Sequence, residues 1–346
     1  MRNRPHSDMD ETQVNPVPEI AILALPQSTP GALFGIYEVF TSVGRTWEEL
    51  TGEPPEGRPL SPRIVTSDGA AIVSHMGFTI TPHGDLGDAD VVVITDIALP
   101  PGEDLGSLWS AELAWLKERH AAGAIICSVC TGTVVLAEAG LLDGLEATTH
   151  WSTVDLIRAR YPDVRLAPQK ILVPSGSGGQ IVTGGGATAW ADMALYLVAR
   201  LSSSTEAVRI AKIFLLGDHS EGQLPFAGAR KPKHHEDGVI AGIQTWIADT
   251  YHLSNPVARM AERSGLAERT FMRRFRAATG YSPMEYVQTL RIEEAKHLLE
   301  TTTTSIEMIA IETGYEDPNF FRRLFKRKVG ITPARYRQRF AAILKR

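Results

Sequence analysis

The chain has 346 residues, 43% hydrophobic and 22% charged, with a formal net charge of -5, which excludes wholesale disorder, a collagen-like fibre and a single small module. No apolar run approaches the ~18 residues of a membrane helix, and residues 1–18 form a polar stretch without a signal-peptide core, so a cytoplasmic protein with a flexible tail is expected. Charge is segregated: from Gly238 onward 18 Lys and Arg stand against 11 Asp and Glu (net +7), and before it 17 stand against 29 (net -12), which suits a C-terminal third that meets a polyanion and, by charge alone, equally a solvated basic surface.

After the tail, the apolar segments Glu19 to Leu25, Val91 to Ile94 and Ala124 to Cys127 read as strands covered on both faces. Helical patterns follow each of them, at Leu33 to Val43, Ser107 to His120 and Thr133 to Ala139. The alternation predicts an α/β domain with a mainly parallel sheet over residues 19–226, whose sites lie beyond the carboxyl ends of the strands. Cys130 occupies one such turn, directly before Thr131-Gly132 and a helix. A sharp strand-to-helix turn is expected to expose a nucleophile, and the helix N-terminus to lower its pKa. His150, in Thr148-Thr149-His150-Trp151, follows another short strand and is a candidate base for Cys130, although a structural histidine reads equally well there. Cys127, the last residue of a buried strand, reads as structural, and two cysteines make no disulfide framework. Gly184-Gly185-Gly186 before a helix suits anion binding and tight packing equally.

Leu224 to Asp237 combines helix breakers with Arg230-Lys231-Pro232-Lys233-His234-His235 and reads as an exposed linker, placed at 227–237. Its histidines, with His219 and His252, lack ligand spacing, so neither a metal nor a cofactor is expected. Beyond it, over residues 238–346, the strand signal disappears. Phe271, Arg273, Phe275, Gly280, Pro283 and Tyr286 recur 50 positions later as Phe321, Arg323, Phe325, Gly330, Pro333 and Tyr336. Upstream, Met260-Ala261 and Gly265 correspond at an offset of 49 to Ile309-Ala310 and Gly314. Each unit has the pattern of a helix-turn-helix, giving an all-α C-terminal domain with two such units. Phe271 and Phe275 face inward in the first, leaving Arg269, Met272, Arg273 and Arg276 outside; in the second, Phe321 and Phe325 leave Asn319, Phe320, Arg322, Arg323 and Lys326 outside. Such arginines can pair bidentately with guanine, and further Lys and Arg bind phosphate.

Together with Gly280-Tyr281-Ser282-Pro283, Arg291-Ile292, Ala295 and Gly330-Ile331-Thr332-Pro333, these residues resemble the AraC/XylS family of transcription regulators over about the last 105 residues. The resemblance implies two recognition helices in successive major grooves of double-stranded DNA, with Arg269, Met272, Arg273, Asn319, Arg322 and Arg323 approaching bases. Ala267 departs from the frequent Ser cap, so the first recognition helix is expected to fray at its start. In the α/β domain, Ser128 to Gly132, Leu136 to Gly144 and Thr148 to Trp151, with Glu38-Val39-Phe40 and Gly222-Gln223, resemble the PfpI-like, class I glutamine-amidotransferase-like superfamily fused to AraC domains in GlxA-type regulators. This implies a flavodoxin-like sandwich acting as sensor and dimerisation domain, a homodimer, a small-molecule effector held near Cys130, Thr131, His150, Trp151 and Asp96, and RNA polymerase as a further partner. Ala32 stands where enzymatic relatives carry an acidic partner for the cysteine, and Thr95-Asp96-Ile97-Ala98 replaces a Gly-rich turn that helps bind an oxyanion. A ligand pocket rather than an enzyme is therefore expected. The alternatives are an amidase- or hydratase-like cysteine hydrolase and a redox sensor acting through Cys130.

Overall fold

The computed structural model describes residues 17–99, 104–217, 219, 221–229 and 232–341. The expected tail over residues 1–18 lies, apart from Val17 and Pro18, outside the described residues. Two compact units divide the chain, Met1–His219 and Ser220–Arg346.

The first unit is built on strands β1 (Glu19–Leu23), β2 (Ser61–Val65), β5 (Val91–Ile94), β6 (Ile125–Val129), β9 (Leu172–Ser175) and β10 (Ile181–Gly184), in the order β2-β1-β5-β6-β10-β9. All neighbours pair parallel except β9, which runs antiparallel to β10 at the edge. Pro174 fits that place, since an edge strand tolerates a missing N–H. Short pairs β3 (Ile72–Val73) with β4 (Thr79–Ile80) and β7 (Glu146–Ala147) with β8 (Arg165–Leu166) lie outside the main sheet.

β5 is apolar throughout, and β1 and β6 nearly so, because both of their faces are covered. Ile20, Ile22, Val91 and Val93 pack on one side beneath α1 (Pro30–Ser42), α7 (Ala189–Leu201) and α8 (Ser204–Ile213). Ala21, Leu23, Val92 and Ile94 pack on the other beneath α4 (Ser110–Ala121), α5 (Thr133–Glu138) and α6 (Val154–Arg160). Burying one Ile or Val stabilises by about 1.5–3 kcal/mol, so a one-residue slip of register would cost several such residues. Two short helices, α2 (Thr46–Thr51) and α3 (Leu105–Leu108), complete the unit. The helix expected from Ser107 is broken at Trp109, whose buried indole donates to Gln27 Oε1 at 3.3 Å.

The second unit is helical: α9 (Gly238–Thr250), α10 (Pro256–Ser264), α11 (Glu268–Thr279), α12 (Pro283–Thr301), α13 (Ile306–Glu312), α14 (Pro318–Val329) and α15 (Pro333–Phe340). Proline opens α10, α12, α14 and α15, where its missing N–H has no intrahelical partner to lose. Two cores mirror the repeat, one around Phe271 and Phe275, the other around Phe321 and Phe325. The long α12 serves both, giving Val287 to the first and Ile292, Ala295 and Leu299 to the second.

In the stretch read as an exposed linker, Gly228, Ala229, Pro232, Lys233, His234 and Glu236 are exposed, while its two ends pack on this unit. Just before this stretch, Glu221 pairs with Arg335 at 2.8 Å and Arg339 at 2.5 Å, and at its start Phe226 lies edge-on to Phe340 under the Arg339 guanidinium. Further on, Asp237 caps α9 and accepts from Arg274 Nε and Nη2 at 2.5 and 2.9 Å. Composition marked this segment as polar, and distant side-chain contacts are made at its ends, by Phe226 and Asp237.

Candidate functional site

Three loops converge beyond the carboxyl ends of β1, β5 and β6. Ser28 forms an antiparallel bridge with Ile97, the Thr29 amide donates to Asp96 O at 3.0 Å, and the Ala98 amide donates to Gln27 O at 2.8 Å. Thr131 latches the third loop: its Oγ1 accepts from the Ile97 amide at 2.8 Å and donates to the Ile97 carbonyl at 2.7 Å. Gly132 lets this happen, since a Cβ there would overlap the Thr95 carbonyl oxygen. Cys130 itself takes φ 59°, a left-handed conformation rare for a residue with a side chain and a mark of functional turns. Its carbonyl accepts from Thr149 Oγ1 at 3.0 Å and from the His150 amide at 3.4 Å, which ties the segment carrying His150 to the turn.

The turn does not expose the thiol as its sequence context predicts. Cys130 is only 5% exposed, and burial, reinforced by the neighbouring Asp96 carboxylate, pushes its thiol up to about 12. The helix N-terminus is overruled because desolvation of a thiolate and a like charge both favour the protonated form. Cys127 is buried as well, and burial raises its thiol further. His150 is no cationic partner: burial lowers its pKa against the opposing pull of Asp96. Its Nδ1 accepts from the Ser152 amide at 3.3 Å and meets Ser152 Oγ at 2.6 Å, which leaves Nε2 to carry the proton of the neutral ring. At about pH 8, iodoacetamide should therefore modify Cys130 of the folded protein roughly 100-fold more slowly than an exposed cysteine, with the rate still climbing past about pH 10. Peptide mass mapping reads this; rapid stoichiometric labelling at neutral pH would contradict it.

Of the residues expected around an effector, the structure brings together Cys130, Asp96 and His150, while Thr131 spends its hydroxyl on the loop latch. The Trp151 ring lies 5.0 Å from the His150 ring and is half-buried. A carboxylate does lie near Cys130: that of Asp96, two residues beyond β5. Asp96 is raised above the usual carboxylate range by burial, partly offset by a hydrogen bond from Thr29, and its Oδ1 is buried with no partner among the described residues. His75, on the turn between β3 and β4, also acts on Asp96; its Nδ1 donates to Ser28 O at 3.2 Å. Sequence reasoning missed His75 and Thr29, since no motif surrounds them and only the fold places them here.

In the helical unit, α11 presents Arg269, Met272, Arg273 and Arg276 as exposed residues, and Phe271 and Phe275 are buried beneath them with ring centroids 5.5 Å apart. On α14, Asn319, Phe320, Arg323 and Lys326 are exposed and Arg322 half-exposed above buried Phe321 and Phe325. Asp317 caps α14 through the Asn319 amide, and Ser305 caps α13 through the Met308 amide. Ala267 gives α11 no side-chain cap, but the helix forms from Glu268, whose charge suits a helix start. Helices this narrow, with arginine forks outside and phenylalanine pairs inside, fit a DNA major groove.

A doubly wound α/β unit with a cysteine turn, joined to two helix-turn-helix units, defines a DNA-binding transcriptional regulator. Residues 260–339 match the helix-turn-helix domain model and residues 45–200 the DJ-1/PfpI family model. The HTH-type transcriptional regulator CdhR of Pseudomonas aeruginosa is 28% identical, over 79% of this chain and 80% of its own. GlxA of Rhizobium meliloti, also an HTH-type transcriptional regulator, is 26% identical over 82% of this chain and 87% of its own. Isonitrile hydratase of Pseudomonas putida is 32% identical over 53% of this chain and 72% of its own. The chain belongs to the regulators that join a DJ-1/PfpI domain to an AraC-type helix-turn-helix domain.

Proposed function

We propose that this regulator is controlled by a small molecule held at the Cys130 turn, which shifts the populations of DNA-binding arrangements without being turned over. The observation that carries the reading is Asp96 Oδ1, a buried acceptor lacking a partner among the described residues, beside a protonated thiol and a neutral imidazole. An orphaned buried acceptor calls for a donor, so the effector presents an N–H or O–H group there. A hydrolase reading is disfavoured because a nucleophilic cysteine needs a lowered pKa, and Asp96 acts in the opposite sense. On the DNA side, α11 and α14 read adjacent major grooves through Arg269, Met272, Arg273, Asn319, Arg322 and Arg323, while Arg276 and Lys326 supply contacts to phosphate and Phe320 lies on the same DNA-facing side. The reading extends to a homodimer formed by the α/β domain and to contact with RNA polymerase; the likeness in architecture to named regulators supports it.

A panel of small metabolites screened by thermal shift on the full chain tests the effector site. A ligand that raises Tm should also change DNA affinity, and Asp96→Asn, which offers a donor of its own, should weaken both effects at least about tenfold. Conversion of any panel compound in a Cys130-dependent manner would overturn the non-catalytic reading.

A further inference from the structure

Arg322 differs from the other outward arginines of the two recognition helices in being held on two sides. Its Nη1 donates to Asn319 Oδ1 at 3.1 Å, one turn earlier on α14, and its Nη2 pairs with Glu307 Oε1 in the first turn of α13. Arg269 and Arg273 on α11 make no hydrogen bond or ion pair recorded among the described residues, and Arg323 only approaches Asp317 at 4.0 Å. The internal repeat provides a comparison within the same chain. At the offset of 49 that aligns α10 with α13, Glu307 corresponds to Ala258; at the offset of 50 that aligns α11 with α14, Arg322 corresponds to Met272. Acid and arginine are thus present together in one unit and replaced together in the other, although Arg273 and Arg323 are kept in both.

We propose that Glu307 is a specificity-determining positioning residue, which orients the Arg322 guanidinium so that the second unit reads a guanine. At the equivalent place, the first unit offers the exposed side chain of Met272. The inference rests on the reading of α11 and α14 as recognition helices. A free arginine side chain loses rotamer freedom when it docks on a base, and one already fixed by two acceptors loses less. Nη2 engaged by Glu307 sets the plane of the fork, and the two acceptors of guanine, N7 and O6, demand a defined plane. Met272 carries no donor, so its natural partner is the methyl group of thymine. The two halves of the site would then differ at this position, as they also do where Asn319 stands for Arg269, while sharing the contacts of Arg273 and Arg323. Glu307 itself, a carboxylate close to DNA, repels phosphate. Its retention beside a basic helix therefore makes sense as a device for selectivity rather than affinity.

The test uses the full chain and a random-sequence DNA duplex pool, followed by single-base-pair variants of the selected duplex, with parent, Arg322→Ala, Glu307→Ala and Glu307→Gln compared. In the parent, replacing one guanine in the second half should weaken binding about tenfold. Arg322→Ala should abolish that preference, and Glu307→Ala should reduce it several-fold at the same base pair with the other positions unchanged. Glu307→Gln, which keeps the acceptor, should retain most of it. Glu307→Ala with undiminished discrimination at the Arg322 position, or with a gain of affinity equal for all sequences, overturns the inference, since the acid would then act only through its charge. Arg322→Ala without effect on any base pair overturns the assignment of α14 as reader, and the inference with it. Circular dichroism melts of each variant check that exposed Glu307 tolerates substitution without loss of fold.

Discussion

Replacing Arg291 with methionine is expected to destabilise the helical unit by about 3–5 kcal/mol and to abolish DNA binding at physiological temperature. Arg291 is 8% exposed on α12 between the two cores. Its Nε donates to Tyr251 O at 2.7 Å, its Nη1 to Gly314 O at 2.7 Å and its Nη2 to Leu253 O at 2.9 Å. One guanidinium thus joins the segment after α9 to the turn of the second helix-turn-helix. The guanidinium also lies 5.1 Å over the Tyr315 ring. Removing it leaves three carbonyls short of their donors, and each buried acceptor left unmade costs about 1–3 kcal/mol. Urea titration followed by circular dichroism measures the change, and a loss below about 1 kcal/mol would show that water replaces the side chain without penalty.

Gly132→Ala is expected to destabilise the α/β unit by about 2–3 kcal/mol, at the upper end of ordinary overpacking. Gly132 has ordinary helical dihedrals, φ -57° and ψ -21°, so the cost is steric and not conformational. An added methyl would overlap the Thr95 carbonyl and come within 3.0 Å of the Ile94 carbonyl, both backbone atoms of the adjacent strand end that cannot rotate away. Yielding would part the β5 and β6 loops, and with them Asp96 and Cys130. Gly31→Ala on α1 provides the contrast: nothing lies within 4 Å of the new methyl, and the better helix former should stabilise by about 0.5–1 kcal/mol. Opposite signs in a pair of thermal melts support this account; equal effects contradict it.

What the sequence made legible follows from local physics. Apolar runs buried on both faces identified β1, β5 and β6, and the 50-residue repeat identified both helix-turn-helix units with their inward phenylalanines. The edge strand β9 escaped notice because Pro174 interrupts any strand pattern. The cysteine turn was legible as a turn, but not its electrostatics, which depend on Asp96 and on the covering loops brought over it. Those loops are joined through Ser28, Ile97 and His75, residues without periodicity or motif. The segment before α9 is solvated in its described middle, as charged, breaker-rich sequence suggests; what could not be read from it is that Phe226 meets Phe340 and Asp237 meets Arg274. In the same way, Glu307 reads as a solvated helix-start acid until α14 is laid beside it.

As proposed above, the two repeat units read two successive major grooves of one DNA face. Hydroxyl-radical footprinting of the full chain on a selected duplex tests it most directly, with Arg273→Ala and Arg323→Ala alongside the parent. Two protected patches about 10 base pairs apart on one side of the duplex are expected, with Arg273→Ala weakening one patch and Arg323→Ala the other. A single protected patch, or two patches left intact by both substitutions in folded protein, would contradict it.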